Sequence, residues 1–359
     1  MTGRGVWETV RCEMTKRFVL DLNLAEWEAW VKGCGFPAFR AKQIYQWLCR
    51  GVLEPERMSN LPKALLEEME KCFVLDSMRV ARELVSERDG TRKFVFSLYD
   101  GNVIESVLMK YKTGYSLCIS SQVGCRMGCI FCASSHVAFG RNLSAGEMVG
   151  QISRIADRIG ERIHSVVVMG LGEAFDNYEN FLAFLRLAMD SQGINLGARH
   201  ITVSTCGLVP QMIEFMGEHS QVNLAVSLHA ATDEQRGRIM PIAKAFKLAE
   251  LLPVCEQYAR TTGRRITFEY SLFRDVNDSD EDAKRLVSIL RGIHCHVNLI
   301  AANEFPGSPV RRSTPERVQT FRQVVEKSGI PVTLRREMGS DIMAACGQLR
   351  RGIETKDRG

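Results

Sequence analysis

Cys125, Cys129 and Cys132 occupy the run Cys125-Arg126-Met127-Gly128-Cys129-Ile130-Phe131-Cys132, three thiols spaced C-x3-C-x2-C with an aromatic just before the last. Thiolates hold iron–sulfur clusters, and three protein ligands leave one iron of a four-iron cluster open to a small molecule. An open iron is what radical chemistry on S-adenosylmethionine (SAM) requires, because that cofactor must chelate the cluster before one electron can cleave its carbon–sulfur bond. A structural zinc site would close with a fourth ligand from a second short-spaced pair, and the nearest candidate, His136, stands alone four residues on.

A second group of residues suits a nucleoside cofactor. In Met169-Gly170-Leu171-Gly172-Glu173 two glycines let a ligand approach the backbone, where strand-edge amides and carbonyls can bind an amino group. Ser204, Ser227 and His229 at the ends of predicted strands, and Asn303 after another, point to one rim, where they suit a carboxylate, a ribose and an adenine. Each alone reads equally well as strand capping. Two cysteines outside the triplet, Cys118 in a predicted strand and Cys346 in a glycine-flanked loop, are either nucleophiles or ordinary buried thiols.

The elements that must position these groups are legible in the pattern. Of 359 residues, 1–78 read as a small helical domain, with Trp27, Trp30, Phe36, Phe39, Ile44, Tyr45, Trp47 and Leu48 at helical spacing. That period makes its aromatics core rather than stacking platforms, although the turn before the basic helix at Arg40–Gln43 suits contact with nucleic acid. Residues 79–112 read as an antiparallel linker, the strand Lys93–Leu98 lying between Asp89-Gly90 and Asp100-Gly101 turns. From 113 to 359 strand and helix alternate, with strands predicted at Ser116–Ser121, Ser165–Met169, His200–Thr205, Val222–Leu228, Ile266–Leu272 and Val297–Ala302, and a further one at Pro331–Arg335. Six βα units are too few for a closed eight-fold barrel, so the fold class expected is α/β with a partial (β/α)6 barrel. Catalytic groups of such folds sit where strands end, and the triplet falls just after the first barrel strand.

Twelve cysteines, scattered apart from the triplet, do not form a secreted disulfide framework, and cluster chemistry favours a reducing cytosol. The first 17 residues carry basic side chains but no continuous apolar run, so neither a signal peptide nor a membrane anchor is expected. A net charge of +5 permits a polyanionic partner without requiring one. The pairs Lys110/Lys112, Arg264/Arg265, Arg311/Arg312, Arg335/Arg336 and Arg350/Arg351 would form a phosphate footprint only on a shared face; singly, each reads as solvated.

The chain resembles the RlmN/Cfr family of radical SAM RNA methyltransferases over nearly its whole length. The blocks that carry the likeness are Ser120-Ser121-Gln122-Val123-Gly124-Cys125, Arg141-Asn142-Leu143, Ser227-Leu228-His229, Met240-Pro241-Ile242, His296-Val297-Asn298-Leu299-Ile300 and Ala344-Ala345-Cys346-Gly347-Gln348-Leu349. The resemblance implies a [4Fe-4S] cluster on Cys125, Cys129 and Cys132, and a SAM site at Gly172, Glu173, Ser204, Ser227, Leu228, His229 and Asn303. It also implies that Cys346 takes a methyl group from one SAM, and that a 5′-deoxyadenosyl radical from a second SAM removes hydrogen from that methyl. The carbon radical then adds to an adenine in 23S ribosomal RNA, with transfer RNA as a second substrate. Cys118 releases the product through a transient disulfide with Cys346, and Glu105 accepts the ring proton. Features of both branches occur together: Gly172-Glu173-Ala174 matches Cfr, whereas Pro306-Gly307-Ser308 matches RlmN, leaving carbon-2 and carbon-8 both open. The remaining expectations are a cytoplasmic monomer, no membrane contact, and a flavodoxin or ferredoxin as electron donor. The competing readings are a radical SAM enzyme of another reaction class, and an RNA-binding protein whose cluster is structural.

Overall fold

A computed structural model describes residues 17–218 and 221–349; the basic N-terminal stretch, apart from Arg17, and the Arg350/Arg351 pair lie outside the described residues. Three helices, α1 (Leu24–Gly33), α2 (Phe39–Cys49) and α3 (Lys63–Cys72), form the N-terminal unit. Asn23 and Glu26 close a capping box at the start of α1, satisfying backbone donors that a helix end leaves free. Trp27, Trp30 and Phe73 meet with ring centroids 5.0–5.5 Å apart and bury the unit's core. Phe39 departs from the expected pattern: it is 57% exposed, with the Arg40 guanidinium 4.7 Å from its ring centroid.

Strands β1 (Met78–Val85), β2 (Arg92–Leu98) and β3 (Val103–Tyr111) pair antiparallel, and β3 pairs antiparallel with β4 (Gly114–Ile119). From β4 the sheet turns parallel, through β7 (Ile163–Val168), β8 (Ile201–Thr205), β9 (Asn223–Ser227), β10 (Ile266–Leu272), β11 (Cys295–Ala301) and the short β12 (Val332–Leu334). Two residues each of β5 (Gln122–Val123) and β6 (Arg141–Asn142) make a separate ladder. The segment 79–112 is therefore continuous with the barrel sheet, where β3 covers the β4 edge that a partial barrel would leave open.

The crossover helices are α4 (Ala145–Ile159), α5 (Tyr178–Met189), α6 (Val209–Gly217), α7 (Asp233–Ile239) and α8 (Leu248–Thr262), followed by α9 (Asp280–Leu290) and α10 (Pro315–Lys327). Ser144 with Glu147, and Ser279 with Asp282, cap α4 and α9 reciprocally. Met148, Ile152 and Ile155 of α4, and Leu286 and Leu290 of α9, face the common core as their spacing predicts. The N-terminal unit docks closely on α4. Gly146 donates its N–H to Asp21 Oδ1 at 2.6 Å, and a Cβ on Gly51 would lie 2.2 Å from the Ser153 carbonyl oxygen. No helix among the described residues is long and apolar enough to cross a membrane.

Candidate active site

The C-terminal ends of consecutive parallel strands surround one cavity of about 970 Å³, mouth included. The loop after β4 carries the cysteine triplet, and all three residues line it. The β5–β6 ladder closes the base of that loop. Ile130 donates to the Ile239 carbonyl (3.0 Å) and Ala133 to the Gly347 carbonyl (2.7 Å), anchoring the loop on both sides. Gly128, at φ +71°, passes Pro241 at a distance that leaves little room for a side chain. Phe131 packs edge-on against His229 with centroids 4.7 Å apart and lies 5.1 Å from Phe273.

Burial pushes the Cys125 thiol up to about 12 and raises Cys129 and Cys132 as well. At Cys129, negative charge on either of the other two thiols adds to the effect. Three thiols on the cavity wall that resist ionising together need a cationic partner to hold them as thiolates.

The glycine–glutamate turn after β7 forms the adjoining wall. At Gly172 φ is +102°, and a Cβ there would meet Gln122 at 2.6 Å; at Gly170 one would meet the Ile119 carbonyl oxygen at 2.6 Å. Gln122 accepts from the Glu173 N–H (2.9 Å) and donates to Asn142 and Asp176, so it holds the turn against the ladder. The buried Glu173 carboxylate accepts from the Phe175 and Cys206 amides at 3.0 and 2.8 Å. Ser204 and Ser227 Oγ lie 3.4 Å apart on neighbouring strand ends. His229, at φ +54°, accepts the Ser271 amide on Nδ1 (2.9 Å), which puts its proton on Nε2. Burial, aided by Arg236, depresses its pKa to about 3, so the ring is neutral at physiological pH.

Asn303 donates to the Cys346 carbonyl (3.0 Å), while its buried Oδ1 has no partner. An orphaned acceptor on the cavity wall is the observation that fits a bound polar cofactor. Leu228 stands apart from the other cofactor candidates. Its side chain is fully buried in the main core, and its backbone is occupied by Glu269 and Arg236.

Cys346 lines the cavity, and Cys118 lies behind its wall among Val107, Met109, Leu171 and Ala344. The two are near enough for charge on Cys346 to raise the Cys118 thiol, although burial is the larger cause and takes it up to about 12. Arg335 opposes both effects at Cys118 and is itself raised chiefly by Cys346. Its guanidinium sits 3.5 Å from Glu269, which also accepts from Asn298. Arg335 is thus not the solvated residue its pairing with Arg336 suggests. Glu105 lies outside the cavity, buried on β3 with Lys93 at 3.3 Å, and Lys93 also donates to the Met343 carbonyl (3.2 Å) in the loop that carries Cys346.

Of the residues named from the sequence, the triplet, Gly172, Glu173, Ser204, Ser227, His229, Asn303 and Cys346 line the cavity, whereas Gln122, Glu269, Arg335 and Lys93 were not singled out as supports. For Gln122 and Arg335 there was a signal, since one lies in the Ser120–Cys125 block and the other in a basic pair. Nothing local marks Lys93 or Glu269.

Two family models match the chain: the Radical SAM superfamily over residues 119–287, and the Ribosomal RNA large subunit methyltransferase N-terminal domain over 19–75. A relative from Clostridium botulinum (strain Eklund 17B / Type B), named "Probable dual-specificity RNA methyltransferase RlmN", is 50% identical over 94% of this chain and 98% of its own length. The chain belongs to the RlmN family. A relative of the same name from Clostridium perfringens (strain SM101 / Type A) is 49% identical over 93% of this chain and 96% of its own. The solved structure of a radical SAM methyltransferase from Sphaerobacter thermophilus superposes with a TM-score of 0.90 at 43% identity, covering 94% of this chain and all of the other. Membership makes the chain a SAM-dependent radical SAM RNA methyltransferase, with a [4Fe-4S] cluster and SAM as cofactors.

Proposed function

We propose that the protein methylates a ring carbon, carbon-2 or carbon-8, of an adenine in 23S ribosomal RNA, through a methyl group carried on Cys346. The observation that carries this reading is the pair of sulfurs across one wall, Cys346 facing the cavity lined by the triplet and Cys118 buried behind it. The "dual-specificity" of the relatives' name fits more than one RNA substrate, and transfer RNA is the second one proposed.

When bound, the cluster on Cys125, Cys129 and Cys132 and its SAM supply one-electron chemistry that removes a hydrogen atom from an unactivated methyl. The chain's own residues do the rest. Gly172 and Glu173 present backbone groups to the SAM amino group, and Ser204, Ser227, His229 and Asn303 line the remainder of its site. Cys346 attacks the methyl of one SAM, so that each turnover uses two. With the methylene carbon bonded to the adenine and the adduct's odd electron given up, the Cys118 thiolate attacks Cys346 sulfur; an S–S bond forms as the C–S bond breaks, and the released electron pair stays on the methylene carbon, which takes a proton to become the methyl. Glu105, paired with Lys93, accepts the ring proton, Lys93 also holding the loop that carries Cys346. The helical unit 17–78 contacts RNA, and the enzyme acts as a cytoplasmic monomer fed by a flavodoxin or ferredoxin.

The test is mass spectrometry of nucleosides from RNA treated with the reduced holoenzyme, since 2-methyl- and 8-methyladenosine separate chromatographically. Cys346→Ala should keep the cluster and bind SAM, yet leave RNA unmethylated. Robust methylation by that variant would refute the carrier role.

A further inference from the structure

Arg236 of α7 is fully buried, and every partner of its guanidinium among the described residues is a neutral carbonyl. Nε donates to Leu228 (3.2 Å), Nη1 to Phe246 (3.4 Å), and Nη2 to Cys206 (2.6 Å) and Ser227 (3.3 Å). Asp233, an acid whose charge reaches it, accepts the Leu248 amide instead (2.8 Å). Burying a guanidinium without a paired anion is costly, so carbonyls alone leave this charge in want of a partner. The candidates are sulfurs. Burial pulls the Arg236 pKa down, and charge on Cys206 and Cys129 opposes that more than charge on Asp233 does. Cys206 and Cys129 pack in one small apolar cluster on the cavity wall, and α7 also clamps the triplet loop, where Ile130 donates to the Ile239 carbonyl.

We propose that Arg236 is a fixed positive charge behind the triplet that favours the reduced form of the cluster, and so eases the one-electron reduction that precedes SAM cleavage. The inference rests on the placement of the cluster on Cys125, Cys129 and Cys132. One electron from the donor protein adds a unit of negative charge to a group already held by three thiolates. A buried cation beside one of those thiolates stabilises the added charge, because little water intervenes to screen it, and net charge is among the levers that set the potential of such clusters. Arg236 stands behind the cavity wall and not in it, so it is a positioning residue for charge, distinct from the groups that meet SAM. Its bonds also tie the ends of β8 and β9 together. A purely mechanical clamp would need the donors and not the charge, which separates the two roles by experiment.

The experiment is a potentiometric titration of the anaerobically reconstituted holoenzyme without SAM, following the electron paramagnetic resonance of the reduced cluster, with iron and sulfide content as the control for assembly. Arg236→Gln keeps side-chain donors but loses the charge. It should lower the ratio of reduced to oxidised cluster about tenfold at a fixed potential, a fall of about 59 mV in the midpoint for one electron. Arg236→Lys keeps the charge and should stay close to the wild type. Asp233→Asn, whose side-chain oxygen can still accept the Leu248 amide, removes the opposing charge and should shift the ratio the other way. That variant decides the matter if Arg236→Gln holds no cluster. An unchanged midpoint in Arg236→Gln, an equal fall in Arg236→Lys, or no rise in Asp233→Asn would overturn the role of the charge. Failure of the cluster placement would instead show in a wild type that takes up no cluster, or in Cys129→Ala keeping one.

Discussion

In the proposed reaction, Cys118 sets how fast product can leave. A thiol near 12 is almost wholly protonated at neutral pH, and only the thiolate attacks sulfur. Release of RNA from an isolated protein–RNA adduct should therefore quicken about tenfold per pH unit between roughly pH 7 and 9, as followed by gel separation of the adduct. A flat profile would mean that another group takes the proton. Cys118→Ala should accumulate the adduct at every pH.

His229 gives a residue-scale prediction about stability. Its folded pKa, about 3, lies below its ordinary 6.5, so the native state binds fewer protons than the unfolded chain between those values. Its contribution is fully present above about pH 6.5 and is lost progressively as pH falls toward 3. Urea midpoints measured from pH 7 to 5 should fall more steeply for the wild type than for His229→Gln. Equal slopes would show that the ring is not held neutral.

At the scale of elements, the docking of the helical unit on α4 depends on close backbone approach. Gly51 combines φ +83° with a carbonyl oxygen 2.2 Å from where a Cβ would sit. Gly51→Ala should cost about 2 kcal/mol or more, read as a lower thermal midpoint, because both the left-handed backbone and the contact must give. Gly263→Ala has the same kind of φ, +66°, with nothing within 4 Å, and should cost less. The carrier loop is pinned in a comparable way. Asp89 accepts the Gly339 amide, Ser86 donates to Asp341, and Lys93 reaches Met343, so the β1–β2 hairpin sets where Cys346 stands.

The whole molecule separates scaffold from chemistry. The main core runs from the N-terminal helices through the sheet to α10, whereas the cysteine loop packs in a smaller cluster with Ile239, Met240 and Phe273. Cys129→Ala should thus abolish the cluster's visible absorbance and SAM cleavage in anaerobically reconstituted protein, yet leave far-ultraviolet circular dichroism unchanged. Loss of folded signal along with the cluster would show that the metal group holds the barrel together.

What the sequence determined follows from local rules. Thiol spacing marked the candidate cluster ligands, helical and alternating periods gave the order of elements, and glycine turns bounded β2, because such signals need only neighbours along the chain. Distant contacts were decided by tertiary structure alone. Leu228 went to the core instead of the cofactor wall, and Arg335 turned inward to Glu269 while Arg336 stayed exposed. Lys93 came to join Glu105 to a loop 250 residues away. A side chain's partner across the sheet depends on strand register and burial, which no local run of residues encodes.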